Sequence, residues 1–156
     1  YLLALSDVQI AQKKYDLALE TIGAAIKVNP ENPVSIFAAC KVYSKKRFYT
    51  IAIEHCEKAL VLNPNGINLM NRLAWLYAKK SIKLELALEL INKSIKVSPN
   101  RDDFIDTLSE VLFIQGNVIM AEKAISKAIK LKPNNAYYKQ QLRRFKNNRL
   151  NEAIGN

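Results

Sequence analysis

Apolar residues recur at steps of three and four over most of the chain, the spacing that lays one stripe along an α-helix. The stripes break where Pro, Gly, Asn and Lys gather, and the breaks predict helices over 1–12, 15–28, 33–45, 49–61, 67–80, 84–97, 102–114 and 118–131, with a ninth from about 136. No stretch alternates apolar and polar residues over a strand's length, so the pattern predicts an all-α chain.

The helices repeat as pairs. Pro30, Pro64, Pro99 and Pro133 stand 34, 35 and 34 residues apart, a period that signals a stack of supersecondary units. Twelve residues before each proline stand Ala18, Ala52, Ala87 and Ala121, and five before stand Ala25, Ala59, Ser94 and Ala128. Small residues recur where two helices approach closely. Ile26, Leu60, Ile95 and Ile129, with Val28, Leu62, Val97 and Leu131, follow at core-facing spacing. In the first half of each unit Leu5, Ala39, Leu73 and Leu108 precede the small residues Ser6, Cys40, Ala74 and Ser109. The third unit carries one extra residue near Ser81. Between units, Asn32 is placed to cap the next helix and Pro33 to open it.

This period, the alanine twelve before each proline, the aromatic Tyr15 or Tyr49 fifteen before it, and the run Leu73 to Ala78 resemble the tetratricopeptide repeat. The likeness covers nearly the whole chain. It departs from the family pattern in lacking Trp near the start of any repeat and in replacing the usual glycine by Ser6, Cys40, Ala74 and Ser109. The resemblance implies a right-handed superhelical solenoid of antiparallel helix hairpins: a single domain over 1–149, with repeats at about 1–32, 33–66, 67–101 and 102–135. A helix over about 136–149 follows, with Tyr138, Leu142 and Phe145 on one face and polar or basic residues on the other. Such a helix caps the open end of a stack. Residues 150–156 are expected to fray.

Composition narrows the picture. Of 156 residues, 49% are hydrophobic and 24% charged, with 4 Gly and 5 Pro, which suits an ordered helical chain and not a disordered one. No apolar run reaches the ~20 residues of a membrane-spanning helix, so a soluble segment is expected, and a start at Tyr1 inside an apolar stripe suggests a piece of something longer. The compartment is left open. Cys40 and Cys56 are too few for a disulfide framework and are read as buried free thiols, although one on each helix of the same hairpin leaves a pairing open.

Candidate chemistry is sparse. The single histidine, His55, is expected at the surface, and its neighbour Cys56 points elsewhere because adjacent helical residues do not face each other. Walker, GxGxxG and HExxH motifs are missing, so no cofactor, metal site or enzyme activity is expected. Asp102, Asp103, Asp106 and Glu110 form the one carboxylate cluster, without partners that would tune them apart, and the first two suit the positive end of a helix dipole.

The formal charge of +10 would favour polyanions if it were concentrated. Lysines near the ends of the second helices suit the negative helix terminus. Another group, Lys13, Lys14, Lys45, Lys46, Arg47, Lys79, Lys80 and Lys83, falls at the turns inside the hairpins, where stacking would make a basic ridge. The final helix adds Lys139, Arg143, Arg144, Lys146 and Arg149. Nucleic acid is therefore the alternative partner.

The family geometry implies that first helices line an inner groove that binds a peptide or a partner protein. Carried onto this chain, it points to Phe37 and Lys41, then Asn71, Arg72 and Trp75, then Asp103, Asp106, Glu110 and Phe113, with Tyr137, Gln140 and Arg144 on the final helix. Some relatives clamp a carboxylate with Lys, Arg and Asn. In one frame those positions hold Leu3, Asp7, Ala38, Asn68 and Arg72, and in another Phe37, Lys41, Arg72, Asp103 and Thr107, so a different ligand is expected.

Overall fold

The computed structural model describes the backbone of residues 1–154 and the side chains of residues 1–151. Among the described residues there are nine α-helices and no strand: α1 (Leu2–Ala11), α2 (Tyr15–Val28), α3 (Pro33–Lys45), α4 (Tyr49–Leu62), α5 (Ile67–Lys80), α6 (Leu84–Val97), α7 (Asp102–Ile114), α8 (Val118–Leu131) and α9 (Ala136–Ile154). They fall into two compact units, Tyr1–Leu76 and Tyr77–Asn156, and α5 contributes to both.

In the first unit α1 packs on α2, α2 on α3 and α3 on α4. Its core gathers Ala18, Ile22, Ala38, Ala39 and Val42, with Leu3, Ile10, Tyr15, Leu19, Ile26 and Tyr43 around them. Full burial of a side chain such as Ile22 contributes about 2–3 kcal/mol. Asn32 caps α3 by accepting the Val34 amide at 2.9 Å, and Pro33 occupies the first turn, where its missing N–H costs nothing.

The second unit packs α6 on α7, α7 on α8 and α8 on α9. Ile105, Leu112, Val118, Ala121, Ile125 and Ala128 form its core together with Tyr138 and Phe145 from α9. Tyr138 also donates its hydroxyl to Asp102 at 2.5 Å, and Lys132 reaches the same carboxylate at 3.0 Å. Burial pushes the Asp102 carboxyl up, but these two partners outweigh it and hold it below the usual range. Asp102 therefore ties α7 to α9 in addition to suiting the helix dipole.

The small residues sit as the repeat requires. Ala18, Ala52, Ala87 and Ala121 have no exposed surface, and neither do Ser6, Cys40, Ala74 and Ser109. The buried hydroxyls of Ser6 and Ser109 turn back onto the carbonyls of Leu3 and Asp106, so serine is tolerated without an orphaned donor.

Four expectations are corrected. Val28 and Val97 are 81% and 67% exposed and Leu131 also faces water, because two residues before the proline the helix has already turned that position off the buried stripe. Cys40 and Cys56 are not free: they form a disulfide across the α3–α4 hairpin, with Cα atoms 5.4 Å apart. His55 is half-buried and not a bare surface residue; its Nδ1–H donates to the Ile51 carbonyl at 2.9 Å and its ring lies 5.1 Å from that of Tyr43. Finally, α9 runs on to Ile154, so residues 150–154 are helical, while 155 and 156 lie outside the described residues.

The turns inside the hairpins share a left-handed residue: Lys13 (φ 59°), Arg47 (φ 63°) and Gly116 (φ 83°). The longer turn after α5 has two, Ser81 (φ 54°) and Lys83 (φ 48°), and so absorbs the extra residue of that repeat. Only at Gly116 does the sequence use the residue for which this conformation carries no steric cost.

Candidate functional site

The first helices α3, α5 and α7 each present one half-buried aromatic ring beneath a cation. Lys41 stands 5.7 Å over Phe37, Arg72 lies 5.9 Å over Trp75 and Arg144 lies 4.7 Å over Phe113. Relative to the shared apolar residues Ala39, Leu73 and Leu108, the rings stand two before, two after and five after, steps of four and three that share a helical stripe.

In the first unit Lys41 also reaches Asp7 at 3.7 Å, so this lysine links α3 to α1. Phe37 lines a depression bounded by Pro33, Val34, Asn63, Gly66, Ile67 and Asn68. Trp75 meets the ring of Tyr49 edge-on at 5.8 Å, which fixes the indole against the start of α4. The amide oxygen of Asn71 is buried without a hydrogen-bond partner.

In the second unit the acidic row of α7 is not the uniform strip expected. Asp103 is held by a two-point contact from Arg101, at 2.8 and 2.7 Å. Glu110 is only 5% exposed and receives Lys79 from the end of α5 at 2.9 Å and Arg144 from α9. Among the described residues, Asp106, one turn before Glu110, forms no ion pair. Burial, followed by the charge of Glu110, raises its carboxyl to about 7 against the opposing pull of Lys79 and Arg144. The cluster is thus tuned apart, contrary to the expectation that nothing in it could do so. Phe113 stacks on Phe145 at 4.6 Å and belongs partly to the core.

On α9 Tyr137, Gln140 and Arg144 are exposed, and Gln141 is buried. Burial, and then the charge of Asp106, raise the pKa of the Tyr137 phenol. The basic turn residues are partly committed, since Lys46 pairs with Asp16 and Lys79 with Glu110. Among the described residues, no group of three or more His, Cys, Asp or Glu side chains could hold a metal ion, and no helix is long and apolar enough to cross a membrane.

Residues 1–32 match the tetratricopeptide repeat family. Mouse (Mus musculus) sperm-associated antigen 1 is 32% identical over 105 residues, which make up 67% of this chain and 11% of that protein, so the chain spans only a small part of its relative's length. The MamA protein of Desulfovibrio magneticus superposes with a TM-score of 0.81 at 18% identity, covering 95% of this chain and 83% of that one. YrrB, described as a tetratricopeptide-repeat protein with an unusual peptide-binding site, superposes with a TM-score of 0.75 at 17% identity over 96% of this chain and 77% of its own. With the period and the helix order, these matches make the chain a tetratricopeptide-repeat protein of four hairpins and a terminal helix. Repeats of this family are generally protein-interaction scaffolds, typically without catalysis of their own.

Proposed function

We propose that the chain holds a protein partner, as an extended segment or a docked helix, on its first helices: through Phe37, Lys41, Asn71, Arg72 and Trp75 in the first unit, and through Asp106 and Phe113 in the second. The observation that carries this reading is the recurrence of a half-buried aromatic ring beneath a cation on α3, α5 and α7. Rings and arginines of this kind are enriched among residues that dominate binding energy, and a stripe serving only solubility would have no need of them. The fold-level likeness to a protein with a peptide-binding site agrees with this use.

Binding of a polyanion to the basic turns is the weaker reading, because Lys46 is already paired with an acid of the same unit. The test is a display selection of peptides against the intact chain, followed by affinity measurement for the enriched sequences. Trp75→Ala is expected to weaken them by about 2 kcal/mol, and Lys14→Ala by little. Equal affinities for wild type and Trp75→Ala, with unchanged circular dichroism, would remove the first-helix face from the reading. Binding that collapses by orders of magnitude between about 50 and 200 mM salt would favour the polyanion instead.

A further inference from the structure

We infer, resting on the scaffold reading, that the Cys40–Cys56 bond is a redox control on the docking face of the first unit: the oxidised chain holds its partner and the reduced chain releases it. The bond takes the place of a packing contact. In the repeat register Cys40 stands where Ser6, Ala74 and Ser109 stand, and Cys56 where Ile22, Ile91 and Ile125 stand, all of them at most 1% exposed. Three hairpins bury a small residue and an isoleucine at these places, and the second closes them with a covalent link. A reduced Cys56 is smaller than isoleucine, so the open bond leaves this hairpin underpacked where the others are full.

The two helices that the bond joins carry or brace the rings of the site. On α3, Phe37 stands one turn before Cys40 and Lys41 directly after it, with Lys41 5.7 Å over the Phe37 ring and 3.7 Å from Asp7. On α4, Tyr49 stands two turns before Cys56 and meets the Trp75 indole edge-on at 5.8 Å. The bond therefore fixes the helix that presents Phe37 against the helix that braces Trp75. Ala38, Ala39 and Val42 keep α3 in the core it shares with α2 whether the bond is open or closed. Its opening thus loosens the spacing of α3 and α4 and not the helices themselves.

The reductant is a dithiol. One of its thiolates attacks one sulfur of the pair and displaces the other, and its second thiol then closes the reductant's own disulfide and frees the first. Two electrons and two protons pass to Cys40 and Cys56, and the dithiol is oxidised. Both cysteines have no exposed surface, so the exchange waits for local opening of the hairpin. A partner spanning Phe37 and Trp75 opposes that opening. Linkage makes the effect reciprocal: the partner favours the disulfide by the factor by which the disulfide favours the partner.

The experiment takes peptides selected on the oxidised, intact chain and weakened by Trp75→Ala, and measures their affinity before and after dithiothreitol, with circular dichroism at each step. Cys40→Ser/Cys56→Ile, which restores the pair used in the first and fourth hairpins, is measured beside it. The expected result is a loss of at least about 10-fold on reduction, recovery on reoxidation and unchanged helix content, with the double variant indifferent to dithiothreitol. Saturating peptide should shift the equilibrium between dithiol and disulfide toward the disulfide by the same factor, read by thiol labelling. Equal affinities for the oxidised and reduced parent, an equal loss in the double variant, or helices lost on reduction would overturn the redox control and leave the scaffold reading standing. Failure to enrich any such peptide would overturn both.

Discussion

Asp106 and Glu110 stand one turn apart on α7, and the more deeply buried of the two is the one whose charge is matched: Glu110 takes Lys79 at 2.9 Å and Arg144, and Asp106 takes neither. The Asp106 carboxyl, ordinarily near 3.8, is raised to about 7 in the folded chain, first by burial and next by Glu110. The unfolded chain therefore loses this proton in the ordinary carboxylate range and the folded chain near neutrality. Because the folded pKa is the higher one, the group's contribution to stability is full below about pH 4 and is lost as the pH rises through 7. Asp106→Asn keeps the shape and cannot ionise, so at pH 8 it should exceed the parent by on the order of 2 kcal/mol and flatten the fall in stability between about pH 5 and pH 8. Urea unfolding at several pH values measures this, and parallel curves for the two proteins would contradict the burial of Asp106.

The Cys40–Cys56 pair closes a loop of sequence separation 16 within one hairpin. Loop-closure entropy for that length corresponds to about 3 kcal/mol. Both sulfurs are fully buried, so reduction should lower stability by about 2–4 kcal/mol without removing the helices. Denaturation with and without reductant, with thiol labelling to count free cysteines, checks it; two alkylated cysteines in the non-reduced protein would contradict the pairing.

Arg47 holds a left-handed conformation at φ 63° in the turn between α3 and α4, where Gly116 serves in the last hairpin. A side chain there costs about 1 kcal/mol, so Arg47→Gly should raise the melting temperature by a few degrees. A lower melting temperature would show that the Arg47 side chain makes up for the strain.

Ala52 and Ala87 have no exposed surface where α4 and α6 meet their neighbours. Leucine at either place must displace packed atoms, and each substitution should destabilise by about 1–3 kcal/mol. Unchanged melting curves for both would break the repeat register.

Local rules made the helices legible. The 34-residue period, the small residues at zero exposure and the Asn32–Pro33 start of α3 all follow from spacing or capping, which act within a few residues. The pairings of the site do not. Glu110 finds its cations 31 and 34 residues away, and nothing in the run from Asp102 to Glu110 tells which acid will be buried. The cysteine pairing escapes local rules for a related reason, since the count argues against a disulfide while the hairpin brings the Cα atoms to 5.4 Å. A one-residue step turns a helix by about 100°, enough to move a position off the buried stripe. Val28 and Val97 show the same sensitivity at the ends of α2 and α6.

Site-specific photo-crosslinking tests the central claim most directly. A photoreactive phenylalanine analogue placed at Phe37 or Phe113 stands on the first helices, and the same analogue at Val61 or Lys93 stands on the exposed sides of second helices. The account predicts discrete protein adducts from Phe37 and Phe113, competed by a selected peptide, and none from Val61 or Lys93. Adducts confined to Val61 and Lys93, or adducts removed by nuclease, would contradict it.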